Sequence, residues 1–272
     1  MLRSMYSGVS GMKGFQTKLD VIGNNIANVN TIGFKSGRVM FKDIMSQTVS
    51  GVTPPNDTAQ GGVNAKQIGL GVSIGSIDTL HLAGSAMTTN NPTDLRIDGD
   101  GFFLVKMNED QDVPFLTRAG DFHIDSARNL VTSDGMFVLD SDGGPINIDA
   151  EVTAFTIAQD GTIVQKMGDG TTVPGVKLGL AKVVNPEGLE KIGGNLYRMT
   201  LNANPDGEFE ILEANNAEFG TGAIIAGQLE MSNVDLTSEF TEMIVAQRGF
   251  QANSRIITTS DEILQEVVNL KR

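Results

Sequence analysis

Apolar residues recur at every seventh position near both ends of this chain, and the long stretch between them follows a different period. Toward the C-terminus Leu236, Met243, Phe250, Ile257 and Leu264 are spaced this way, joined by Phe240, Ile244 and Val268. Toward the start Met5, Met12, Leu19 and Ile26 repeat the pattern. A seven-residue repeat is the seam of a helix that lies against another helix, so the spacing predicts a long helix at each terminus. The first is expected from about Arg3 to Asn28, weakened by Gly8, Gly11, Gly14 and Gly23, each costing about 1 kcal/mol relative to Ala. The second is expected to start behind Asp235 or Thr237 as N-cap and to run to Lys271 and Arg272, about 50 Å of helix at 1.5 Å per residue.

The two termini carry opposite charge. Residues 1–42 hold six Lys or Arg against Asp20 alone, whereas residues 228–266 hold seven acids against Arg248 and Arg255. Striped segments of opposite sign attract, which predicts that they pair with each other. Burying a large apolar side chain contributes about 1.5–3 kcal/mol, and these stripes have no evident partner within the rest of the chain. The termini are therefore expected to be loosely ordered in a lone subunit and to become fixed on association with other copies.

From Ile68 to about Gly227 the period falls to two, with short strands such as 102–107, 122–125, 136–139, 155–157 and 162–164 between Gly- and Asp-containing turns. The fold class expected is mainly β: an antiparallel domain, sandwich or partial barrel, inserted between terminal helices that form a coiled-coil core on assembly. The expected boundaries are 1–46 for the N-terminal helical part, 47–67 for a flexible linker rich in Gly, Pro, Asn and Thr, 68–227 for the β domain and 228–272 for the C-terminal helix.

Composition narrows the function. With no Cys in 272 residues, disulfides and thiolate metal sites are excluded, and a net charge of −13 argues against nucleic acid, whose binding needs Lys and Arg opposite phosphates. Neither a cleavable signal peptide nor a membrane span is evident. Gly71-Val-Ser73-Ile-Gly75 matches a nucleophile elbow, but it lies in an alternating run with no helix pattern after it, so it reads as a small-residue strand. Asp98, Asp100 and Glu109 imitate a calcium loop, yet Phe102 and Phe103 occupy places that need an oxygen ligand and Gly, so a hairpin turn is the better reading. No catalytic residue, metal site or cofactor is implied. A glycan hydrolase built on two carboxylates, or an adhesin module, would leave the terminal stripes unexplained.

The most unusual local composition is Ile22 to Lys35, with Asn24, Asn25, Asn28 and Asn30 close together. Asn is poor inside a helix because its amide competes for backbone hydrogen bonds. Asn30 in the left-handed conformation would end the helix there. The amides are expected to bond neighbouring subunits and to fix register where a wholly apolar seam could slip.

The run Asn24-Asn-Ile-Ala-Asn28-Val-Asn30-Thr31-Ile-Gly33-Phe34-Lys35 resembles the N-terminal signature of the bacterial flagellar rod and hook axial proteins. The segments 229–236 and 246–255 resemble their C-terminal signature, and 115–122 and 130–135 resemble their shared β domain. The resemblance implies a structural homopolymer, a hollow helical tube that transmits torque and performs no chemistry. It implies export through the flagellar apparatus without a cleaved signal, assembly under a hook cap, and contact with adjoining rod and hook–filament junction proteins. The assembly residues it points to are Asn24, Asn25, Asn28, Asn30, Thr31, Gly33, Phe34 and Lys35, together with the two stripes. Within the family, Met5 to Met12, Ser46-Gln-Thr48 and Lys66 to Gly71 look more like the hook branch. The short length fits the distal rod branch, so hook is the expectation and distal rod the alternative.

Overall fold

The computed structural model describes residues 2–54, 61–108, 111, 113–205, 207 and 209–270. The middle of the expected linker (55–60), Glu109 of the calcium-loop imitation and the terminal Lys271 and Arg272 lie outside these residues. The described chain is mainly antiparallel β with one long helix at each end, the architecture expected. It divides into two compact units.

The first unit comprises residues 1–27, 37–79 and 235–272. It contains α1 (Leu2–Ala27), α2 (Leu236–Asn269) and the strands β1 (Gly37–Asp43), β2 (Ser46–Ser50), β3 (Lys66–Gly69) and β4 (Val72–Thr79). Asp235 is the N-cap of α2, its carboxylate accepting from the Thr237 N–H at 3.0 Å, and Glu239 adds negative charge to the first turn. In the single chain both terminal segments are helical and pack against each other. Gly8 meets Ile257, Phe15 meets Gly249 and Lys18 pairs with Glu242 at 3.0 Å, so the helices run antiparallel.

The expected linker is the main departure from the sequence reading. β1 pairs with β4 from Gly37↔Thr79 to Asp43↔Val72, and β2 pairs with β3 from Ser46↔Gly69 to Ser50↔Lys66. Together they make one continuous two-stranded ribbon, extended by a bridge between Thr53 and Val63. Both β2 and β3 are exposed along their whole length. A strand announces itself in sequence by burying one face, and β2 and β3 bury neither, which is why this part of the ribbon looked irregular, whereas β1 buries Val39. Residues 68–79, assigned to the β domain on sequence, belong to this ribbon. Ser73, the would-be nucleophile, is a paired strand residue opposite Lys42.

The second unit comprises residues 28–36 and 80–234. The strand Phe102–Lys106 runs through its middle and is buried on both sides. Phe103 and Val105 join one core cluster with Leu95, Ile97, Phe122 and Leu130, while Phe102 and Leu104 join a second with Leu116, Leu139 and Tyr197. A strand whose alternate residues enter two cores must read as a continuous apolar run, as it does. Turns form where Gly follows Asp, with Gly135 and Gly161 at φ near +80°, a conformation open to Gly at no steric cost.

Candidate assembly surfaces and the signature segments

The contact face of α1 and α2 is built from small residues. A Cβ on Gly11 would lie 2.8 Å from the Asn253 side chain, and one on Gly249 would lie 2.6 Å from the Phe15 ring. Ala246 and Ser260 of α2 are buried, as are Ile22 and Asn25 of α1. The glycines counted above as a cost to helix formation therefore let two backbones approach closely. Gly14 plays a related part by leaving room for Phe41 of β1, whose ring packs 5.9 Å from that of Phe15.

Apart from Ile257, which meets Gly8, the seven-residue stripes flank this face. Met5, Met12, Leu19 and Ile26 of α1 are half-buried, and so are Met243, Ile257 and Leu264 of α2. Leu236, Phe240, Phe250 and Val268 are exposed, with Phe240 at 49% and Val268 at 64%. Ile244, Val245, Ile256, Ile263, Val267 and Leu270 are exposed beside them. Large apolar side chains thus lie uncovered along α2, more than a helix with a single buried stripe leaves to water.

The asparagine segment splits between two tasks. Asn25 is 1% exposed: its amide donates to the Gly37 carbonyl at 2.9 Å and to Glu239 Oε1 at 3.0 Å, and its Oδ1 accepts from the Gly37 N–H at 2.9 Å. It thus holds the end of α1, the start of β1 and the first turn of α2 together within one chain. Burial holds the Glu239 carboxyl above its usual range, against the opposing pull of that hydrogen bond. Asn28 Oδ1 accepts from the Thr31 hydroxyl at 3.1 Å in a local turn, while Asn24 and Asn30 lie exposed on the surface.

The left-handed residue that redirects the chain is Gly33, at φ +68°, and not Asn30. A Cβ there would stand 2.6 Å from the Ala119 backbone nitrogen, so only Gly fits. Its N–H donates to the Glu230 carbonyl at 2.8 Å. Phe34 is buried beneath the Lys191 ammonium, which sits 4.3 Å from the ring centroid.

Lys35 is 1% exposed, and its ammonium donates to the Leu82 carbonyl at 2.7 Å and pairs with Glu230. Glu230, also 1% exposed, accepts the Gly84 N–H at 3.0 Å on the oxygen that takes Lys35, and Arg118 at 3.3 Å on the other. Arg118 in turn donates to the Gly99 carbonyl at 2.7 Å. Burial pulls the Lys35 ammonium below its usual range, while Glu230 works in the opposite direction. Next to this group Asn233 accepts from the Ser36 N–H and donates to the Leu80 carbonyl. One buried carboxylate therefore joins the segment 28–36, Arg118 just after the strand Phe115–Thr117, and the strand Gln228–Glu230. Sequence reasoning named Lys35 but gave Glu230 and Arg118 no role. The available signal was a charged residue set among apolar ones, as in Leu229-Glu230-Met231.

These three segments are also where the chain matches known proteins. Residues 5–35 match the family described as flagella basal body rod protein. Residues 96–165 match the D1 domain of the flagellar hook protein FlgE/F/G family, and residues 225–270 the C-terminal part of the flagellar basal body rod FlgEFG proteins. The chain belongs to the flagellar rod and hook axial protein family, whose members are structural components of the bacterial flagellum. It is 55% identical, over the full length of both chains, to the flagellar basal-body rod protein FlgG of Bacillus subtilis. It is 36% identical to FlgG of Borreliella burgdorferi, again over both full lengths. The flagellar hook protein FlgE of the latter species is 29% identical in an alignment that stretches over 450 positions.

Proposed function

We propose that this chain is a distal rod subunit of the flagellar basal body, polymerising into a hollow tube that carries torque outward. The observation that carries the reading is the end-to-end 55% identity to a rod protein of matching length, where the hook relative needs an alignment of 450 positions. This reverses the preference for hook drawn from the short motifs at Met5 to Met12, Ser46 to Thr48 and Lys66 to Gly71, because the end-to-end identity weighs the whole chain.

The paired ribbon supports the same choice. A bending joint needs slack between its inner helices and its outer domain, and a Gly/Pro-rich coil would supply it. A two-stranded ribbon of seventeen residues on one arm spans about 55 Å at roughly 3.3 Å per residue and resists bending far better than a coil. Its exposed Met45, Val49, Val52 and Ile68 give it apolar area to lay against neighbouring copies. The uncovered side of α2 is the inner counterpart, buried when copies pack around a common axis. The chain performs no reaction, and it meets other rod proteins at the ends of its own polymer.

Electron microscopy of basal bodies from cells lacking the gene tests this. The rod reading expects shortened rods and no hooks, restored by the gene in trans. Complete rods with only the hooks missing would return the chain to the hook branch.

A further inference from the structure

Beside the Glu230 group the second unit contains a cavity of about 330 Å³, lined among others by His81, Asp100, Phe102, Arg118, Lys182 and Pro186. Its charge is unbalanced. Glu230 is one buried carboxylate facing two buried cations, Lys35 and Arg118. Lys182 donates only to the Phe219 and Gly220 carbonyls, at 2.7 and 3.3 Å, which leaves its positive charge standing. Asp100 is the acid on the lining, and it is exposed. Among the described residues, Arg118 Nε and His81 Nδ1 have no hydrogen-bond partner, although the Arg118 side chain is only 5% exposed.

A buried donor without a partner, as Arg118 Nε is, is costly, and a cationic cavity is out of keeping with a chain of net charge −13. Copies that acidic repel one another on approach, and the repulsion is relieved where one presents a positive recess to an acid on the next. We propose that this cavity receives a carboxylate side chain from a second copy of this chain. The proposal rests on the assembly reading and adds to it a specific contact between β units. His81 reports on the site: burial, with Lys35, Arg118 and Lys191 nearby, holds its imidazole down to about 4, and an anion seated beside it would raise that value.

The test uses the full-length chain with acetate as the probe. His81 and His123 are the only histidines, so His123→Gln leaves a single imidazole signal for NMR. Acetate titrated into the monomer at constant ionic strength should raise the His81 pKa by at least about one unit and saturate, where chloride does not. Lys182→Gln, which touches no member of the Glu230 group, should weaken acetate binding about tenfold and raise the critical concentration for polymerisation to a similar degree. In the wild-type polymer the His81 signal should be shifted already and unresponsive to acetate. A His81 response identical in acetate and chloride would overturn the site. Acetate binding to the monomer, combined with wild-type polymerisation of Lys182→Gln, would overturn the neighbouring chain as its occupant. A wild-type chain that never polymerises would instead strike at the assembly reading, and with it the occupant named here.

Discussion

Glu230 shows how much one side chain can carry when it is buried between two cations. Replacing it with Gln keeps the shape but leaves Lys35 and Arg118, both buried, without their counter-charge. Breaking a buried pair on one side costs about 3–5 kcal/mol, so Glu230→Gln should lower the urea midpoint of unfolding by that equivalent. His81 provides a second test. Its folded-state pKa, near 4, lies below the unfolded value of 6.5, so the folded chain binds fewer protons in that window. Stability is then full above about pH 6.5 and falls as pH drops toward 4, by about 1–2 kcal/mol once partial solvent screening of the ring is allowed for. His81→Gln should flatten that part of the profile in pH-dependent unfolding. The roles of Lys35 and Asn25 were only half visible in sequence. Composition marked the segment as special, but whether an amide or ammonium bonds its own chain or a neighbour depends on contacts about 200 residues away.

At the scale of elements, the glycines of the helices separate into two kinds. Gly249 lies against Phe15, and Gly23 has nothing within 4 Å of where a Cβ would stand. Gly249→Ala gains about 1 kcal/mol of helix propensity but drives a Cβ into an aromatic ring, and overpacking of that kind costs about 1–3 kcal/mol. Gly23→Ala gains the same propensity with no clash, so thermal denaturation should show the first variant less stable than wild type and the second more so. The helices were legible from their period, and several strands of the second unit were legible too, Phe102–Lys106 as a continuous apolar run and others by their alternation between turns. The outer part of the ribbon, β2 with β3, was not legible, because exposure on both faces erases the alternation that identifies a strand. The small-residue contact face was hidden for a related reason: the eye follows the large apolar residues, and these flank the contact.

At the scale of the whole molecule, mechanical behaviour should follow the ribbon. Replacing residues 46–69 with a Gly/Ser coil of equal length would trade paired strands for a flexible chain, and polymers of that variant should bend more under load or in thermal shape fluctuations. Unchanged bending stiffness would remove the ribbon from the account. The division into units was legible in outline as helix, β domain, helix. Its true boundaries were not, because residues 28–36 leave α1 to join the β unit through Gly33, Phe34 and Lys35. The central claim is that the uncovered side of α2 is covered by other copies, and the absence of Cys makes that claim directly measurable. Single Phe240→Cys and Val267→Cys variants should react quickly with a maleimide as monomers and about 100-fold more slowly once polymerised, as expected of a fully buried interface core. Equal labelling rates in monomer and polymer would contradict it.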